Sequence, residues 1–197
     1  MFKQISLLFL LSLGFSNELM AQKTTKYAYE ISKKHPYGLV NPNAPKEVQD
    51  FEPLIGECDC QSVSRKPDGT WSPAVAMMWR FKYIMNGMAV QDETLKADQK
   101  HSGSIRQFNS ETGKWLVHYY ASGSPNSQPL PTWEGTKTAE GKIILFKDQK
   151  APNGMEGMYR ITFYEISNKG YNWIGEWVNA DQTIVYPTWK IACKKRK

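Results

Sequence analysis

The stretch from Met77 to Leu95, MMWRFKYIMNGMAVQDETL, constrains this chain more than any other. Asn86-Gly87 is the dipeptide that a type I′ turn requires, because both central residues need φ > 0. A two-residue loop there sets Met85 against Met88, and the antiparallel register runs outward from it. Tyr83 then faces Val90, Phe81 faces Asp92 and Trp79 faces Thr94. On the other side Ile84 meets Ala89, Lys82 meets Gln91 and Arg80 meets Glu93, an opposite-charge pair across the strands. One face is almost wholly apolar, so the segment reads as a long, half-buried hairpin.

The remainder continues in the same manner. Strand-prone runs follow one another, separated by Pro67-Asp68-Gly69, Ser110-Glu111-Thr112-Gly113, Ala139-Glu140-Gly141 and Ser167 to Gly170. The runs are Ile55 to Arg65, the two arms of the hairpin, Ser104 to Phe108, Lys114 to Ala121, Thr132 to Lys137, Lys142 to Lys147, Met158 to Ile166, Tyr171 to Val178 and Thr183 to Cys193. About ten strands with no long helix between them exclude a parallel α/β sheet. Sequential hairpins leave two bare edges unless the sheet closes on itself. The expected fold is therefore all-β, a single antiparallel up-and-down β-barrel of about ten strands. One short helix should precede it, starting near Pro45, carrying Val48 and Phe51 on one face and ending at Pro53.

With 197 residues the chain suits one domain with a substantial core. Residues 1–21 carry the pattern of a secretory signal peptide: Lys3, an apolar run from Ile5 to Phe15, and Leu19-Met20-Ala21 at the cleavage point. The run is too short to span a bilayer. The expectation is a secreted or periplasmic protein cleaved near Ala21, with no membrane span. Residues 22–43, interrupted by Pro36 and Pro42, read as an extended leader, 44–193 as the barrel and 194–197 as a basic tail. The net charge of +6 is concentrated in leader and tail, with Lys23, Lys26, Lys33 and Lys34 at one end and Lys194, Lys195, Arg196 and Lys197 at the other. That distribution speaks for solvated termini and against a nucleic-acid surface.

Export makes the three cysteines meaningful, since an oxidising compartment permits disulfides. Cys58 and Cys60 share one face of a strand, and Cys193 reaches one of them if the first and last strands are neighbours. A Cys58–Cys60 bond would close too short a loop, and three buried thiols are the plain alternative. Three cysteines without a nearby histidine do not make a zinc site. No metal-binding, cofactor, phosphate-cradling or nucleophile motif occurs, so no cofactor is expected.

The run Phe51-Glu52-Pro53-Leu54-Ile55-Gly56-Glu57-Cys58, following a short helix, resembles the opening of calycin and lipocalin-like barrels, with Cys58 where those proteins often carry tryptophan. Arg106-Gln107-Phe108-Asn109-Ser110-Glu111-Thr112-Gly113-Lys114-Trp115 and Tyr159-Arg160-Ile161-Thr162-Phe163-Tyr164-Glu165-Ile166, then Trp173 and Glu176, resemble a family of secreted bacterial lipocalin-like domains of unknown function. The resemblance spans roughly residues 50–193 and implies a barrel but no activity.

Pairing Ile166 with Tyr171 and Val178 with Thr183 gathers Arg160, Tyr164, Trp173, Trp177, Tyr186 and Lys190 on one face, a mixture of aromatics and charge suited to a pocket. The opposite face would hold Tyr159, Ile161, Phe163, Ile174, Glu176, Val178, Val185, Trp189, Ile191 and Cys193. The family likeness at Arg160 and Trp173 favours the mixed face inward, while Cys58 and Cys193 favour the other. A bulge at Pro187, which cannot donate to a ladder, reconciles them, and the mixed face is the one expected to line the cavity.

Candidate ligand-binding residues are thus Trp79, Phe81, Tyr83, Arg160, Tyr164, Trp173, Trp177 and Tyr186. The reading is a binding protein for a small, partly apolar, anionic ligand. An enzyme using Glu93, His118 or Glu176 as acid–base is the second possibility, and a glycan-binding surface module with exposed tryptophans the third. Each candidate has a plainer role: Arg160 as a cation–π partner of Trp177, the tryptophans as packing, Glu176 as a solvated carboxylate.

Overall fold

A computed structural model describes residues 27–123 and 129–196. The expected signal segment lies outside the described residues. Ten antiparallel strands close into one barrel: β1 Gly56–Ser64, β2 Val75–Ile84, β3 Ala89–Lys96, β4 Ser102–Asn109, β5 Lys114–Ala121, β6 Thr132–Lys137, β7 Ile143–Asp148, β8 Gly157–Ser167, β9 Gly170–Asn179 and β10 Val185–Lys195. Each strand pairs with its neighbours in sequence, and β1 pairs with β10 to close the ring. The up-and-down barrel read from the sequence is the fold observed.

The first hairpin keeps its expected register throughout, from Ile84 opposite Ala89 to Trp79 opposite Thr94. Met88 N–H donates to the Met85 carbonyl at 3.2 Å across Asn86 and Gly87, whose φ values are 53° and 79°. Met85 is left-handed too, at φ 55°, and the N–H groups of Gly87 and Met88 both donate to the Ile84 carbonyl at 3.1 and 3.2 Å, so the loop is a four-residue left-handed turn, Met85 to Met88, where a two-residue one was expected. Residues 27–43, expected as an extended leader, are folded over this turn. Tyr29 N–H donates to Asn86 Oδ1 at 3.1 Å, Asn41 Nδ2 donates to the Asn86 carbonyl at 3.0 Å, and Asn41 N–H donates to the Gly87 carbonyl at 3.1 Å.

One end of the barrel is plugged by a 3₁₀ helix, Lys46–Leu54. Val48, Phe51 and Leu54 follow at intervals of three, which a helix of three residues per turn stacks on one edge, and all three are fully buried. The Phe51 ring lies 4.7 Å from Trp115 and 6.1 Å from Phe163. Pro53, expected to terminate the helix, lies within its last turn.

The last three strands depart from the expected register. Ser167 pairs with Gly170, the ladder then shifts, and Tyr164 meets Asn172 while Phe163 meets Trp173. Glu165 at φ 52° sits in this irregularity. A one-residue slip exchanges the faces of a strand, so Arg160 and Tyr164 share parity with the outward Thr162, and Arg160 stands opposite Glu176. Val178 pairs with Val185 where Thr183 was expected, and the bulge expected at Pro187 lies between Pro187 and Trp189. It turns Trp189, Ile191 and Cys193 to the inside beside Gly175, Trp173 and Tyr171.

That orientation lets Cys193 bridge Cys60, with Cα atoms 4.1 Å apart, across the β1–β10 seam. Cys58 is the free, buried thiol, and burial pushes its pKa up despite the opposing influence of Lys195. The expected basic tail is partly strand: β10 runs through Lys195, and Arg196 pairs with Asp59 at 2.7 Å and with Glu57 at 2.9 Å.

Candidate functional site

The half of the barrel away from the helix holds a cavity of about 250 Å³. Trp79 from β2, Trp133 from β6, Trp173 from β9 and Trp189 from β10 line it, with Tyr119 and Tyr159 between them and Met77, Val117, Ile161 and Ile191 completing the apolar wall. Each comes from an inward position of its strand, so the alternation of the sheet selects them. The rings meet edge to face: Trp173 and Trp189 centroids are 5.2 Å apart, Tyr119 and Trp133 6.1 Å, Trp133 and Tyr159 6.4 Å. The Tyr159 hydroxyl bonds Thr188 Oγ1 at 2.8 Å, and burial raises its pKa.

The cavity floor is polar. Asp92 and Arg106, with side chains 3% and 2% exposed, form an ion pair there. Asp92 also accepts the indole N–H of Trp79 at 2.6 Å and the Ser104 hydroxyl at 2.5 Å. The guanidinium lies over three rings of the plugged end, 4.9 Å from the Phe81 centroid, 5.1 Å from Phe51 and 5.8 Å from Phe163. Desolvated charges are tolerated only when paired and hydrogen-bonded, and Asp92 has three donors. Arg106 is less completely served: its Nε–H is buried without a partner, as is the indole N–H of Trp133. At the open end Lys96 lies 5.6 Å from the Trp189 ring centroid and Lys147 lies 4.7 Å from that of Trp133.

The expected binding residues are dispersed. Trp79 and Trp173 line the cavity; Phe81 and Tyr83 point inward but pack toward the plugged end. Arg160 and Tyr164 are on the outer side of β8, where Arg160 binds Glu176 at 2.9 Å and Gln182 at 3.2 Å. Trp177 is half-buried and donates to the Gln149 carbonyl at 2.8 Å. Tyr186 is 43% exposed beneath Arg65, whose guanidinium carbon is 4.3 Å from its ring centroid. The mixed face expected inside is therefore divided between the two sides of the sheet, because the slip at Glu165 sets Phe163, and not Tyr164, beside Trp173. The acid–base candidates are also outside the cavity. Glu93 faces Arg80, His118 Nδ1 is 2.9 Å from Thr132 Oγ1, and Glu176 is held by Arg160.

Sequence reading missed Asp92, Arg106, Trp133 and Trp189. A signal was present for the first: the register of the first hairpin places Asp92 on the apolar face beside Phe81, and a carboxylate there demands a cation from a neighbouring strand.

No protein-family model matches the chain, and no curated protein is detectably similar to it. Among solved structures, Rv2717c from M. tuberculosis superposes with a TM-score of 0.52 at 13% identity, over 79% of this chain and 100% of that one. A protein of unknown function of the DUF3598 family from Nostoc punctiforme covers 77% of this chain and all of its own, but at 7% identity and a TM-score of 0.25, too low to carry an argument. The likeness to Rv2717c concerns the fold alone.

Proposed function

We propose that this is an exported binding protein that holds one small, largely apolar molecule inside the barrel. The observation that carries the reading is the cavity of about 250 Å³ walled by four tryptophans and two tyrosines above a charged floor. Ligand pockets combine such an apolar wall with a few placed polar groups, and at this volume the occupant is smaller than those of typical pockets of about 300–1,000 Å³. Export is supported by the signal-like pattern of residues 1–21 and by the Cys60–Cys193 bridge, which suits an oxidising compartment. The outward positions of β1, β2 and β3 carry Glu57, Arg80, Lys82 and Glu93, the opposite of the apolar exterior that a membrane-spanning barrel needs. Binding is favoured over catalysis because Glu93, His118 and Glu176 lie outside the cavity. It is favoured over surface glycan recognition because Trp173 is buried and Trp177 is tied to Gln149.

The test is a tryptophan-fluorescence titration with 2-methylnaphthalene, alongside native mass spectrometry of the purified protein. Val117→Phe places a ring in the cavity space. The expected result is saturable quenching by the parent and at least a tenfold loss of affinity in the variant, with an unchanged circular dichroism spectrum. Equal affinity in both, or no binding by the parent, overturns the proposal.

A further inference from the structure

The outside of the barrel at its open end is not uniform. Of the eleven large apolar side chains exposed among the described residues, five lie on one arc of that end. Leu130 stands at the entry to β6, Met155 between β7 and β8, and Ile184, Val185 and Tyr186 at the entry to β10. Because the strands close in sequence order, these three connections follow one another round the rim. The other arc, residues 65–74 and 97–101, carries none of the eleven and exposes Lys66, Asp68, Asp98 and Lys100. The rim is apolar on one side and charged on the other.

The apolar arc is held in place by its own hydrogen bonds. Between β7 and β8, Ala151 N–H donates to the Met155 carbonyl and Gly154 N–H to the Ala151 carbonyl, both at 2.9 Å. Gly154 has open space where a side chain would stand, so Met155 rides on a projecting tip. Between β9 and β10, Ile184 N–H donates to Asn179 Oδ1 at 2.8 Å and Gln182 N–H to the Asn179 carbonyl at 2.9 Å. The indole N–H of Trp177 ties the two tips together through the Gln149 carbonyl, and Gln149 lines the cavity. The exposed tips therefore border the mouth. Their charges are mostly spent locally: Lys150 pairs with Glu156, and Asp181 accepts the Thr183 N–H and hydroxyl. With Lys147 and Asp148, residues 129–131, 147–156 and 179–186 hold two lysines against three carboxylates, a nearly neutral surface.

From this arrangement, and resting on the binding role proposed above, we infer that the apolar arc docks the barrel mouth onto a zwitterionic lipid surface, from which the cavity is filled and into which it is emptied. Five partly exposed side chains make a patch of a few hundred Å², enough to mark an interaction site on a monomer. They fall short of the ~800 Å² per partner that a specific protein interface covers. Aliphatic side chains on projecting tips enter the boundary between headgroups and acyl chains, where affinity follows the apolar area buried. An occupant that suits a wall of four tryptophans prefers lipid to water, and a mouth seated on lipid spares it the aqueous crossing. The near-neutral arc suits zwitterionic headgroups and makes the contact insensitive to salt.

Co-sedimentation of the purified protein with dioleoylphosphatidylcholine vesicles tests this. Met155→Asp and Ile184→Asp each set a charge on one tip, at sites exposed enough to leave the fold intact. Met85→Asp is the control, since Met85 is more exposed than either but lies at the plugged end. The expected result is vesicle binding by the parent that salt does not weaken. Each rim variant should lose about tenfold in affinity, the scale of withdrawing one aliphatic side chain from an apolar contact, and Met85→Asp should lose none. Release of 2-methylnaphthalene from the loaded parent should quicken in proportion to vesicle concentration. The rim variants should lose that dependence while holding the probe as tightly as the parent. No vesicle binding by the parent overturns the docking inference. Equal binding by parent and rim variants, as the apolar run of residues 5–15 acting alone would give, overturns it too. So does light scattering that shows a dimeric parent and monomeric rim variants, which makes a second copy the occupant. In each of these cases a saturable 2-methylnaphthalene titration leaves cavity binding standing; rim-dependent vesicle binding without any uptake of the probe overturns the cavity reading and leaves the docking.

Discussion

Asp92 on β3 and Arg106 on β4 form an ion pair at the centre of the barrel, with side chains 3% and 2% exposed, between the aromatic plug and the cavity. They are not directly opposite, since Asp92 faces Ser104 and Arg106 faces Val90; the pair runs diagonally along the inner surface. Removing one member of such a pair strands the other charge in a dry site. Asp92→Asn should therefore destabilise the fold by about 3–5 kcal/mol, whereas replacing both residues by Leu and Met of similar bulk should recover most of that loss. Urea unfolding curves of the single and double variants check this; a single variant as stable as the parent would show the pair to be of little consequence.

The Cys60–Cys193 bridge closes a loop of 133 residues across the barrel seam. On the chain-entropy account its loss should cost about 4–5 kcal/mol. Denaturant melts with and without reductant measure the difference, and thiol counting on the denatured, unreduced protein should find Cys58 alone.

Tyr83 is pushed up to about 12 from its ordinary 10, chiefly by burial and secondarily by the Glu52 charge. Native Tyr83 keeps its proton where the unfolded chain has released it. Its contribution to stability is full below about pH 10 and is lost as pH rises toward 12, at about 1.4 kcal/mol per pH unit. Absorbance titration at alkaline pH, set beside urea midpoints, should show the unfolding midpoint falling across that window. A Tyr83→Phe variant should flatten the fall.

Gly87 holds φ at +79°, and a Cβ there would strike the Leu39 carbonyl and lie 2.6 Å from the Asn41 nitrogen. Gly87→Ala should loosen residues 27–43 from the hairpin turn with a smaller effect on the barrel. Limited proteolysis should then cut the variant in this segment faster than the parent; equal cutting rates would mean that the leader does not depend on that approach.

The first hairpin was legible because its information is local. Asn86-Gly87 sets the turn, the period of two sets the faces, and nothing beyond Met77 to Lys96 is needed to obtain the observed register. The barrel itself followed from many short strands that must not leave edges, and a bulge near Pro187 from a residue without an N–H. The cysteines could be narrowed to Cys193 with Cys58 or Cys60; the seam register, which sets Cys60 opposite Cys193 and Cys58 opposite Lys195, chose between them. The last hairpins were not legible. Nothing in Glu165 marks it for φ 52°, since a left-handed residue outside glycine is held by its surroundings more than by its type. That single residue moved Arg160 to the outside, where it meets Glu176. The cavity floor shows the same division. Local alternation put Asp92 on the buried face, but only closure of the sheet brought Arg106, Ser104 and Trp79 around it, because strands far apart in the chain share an interior once the barrel is formed.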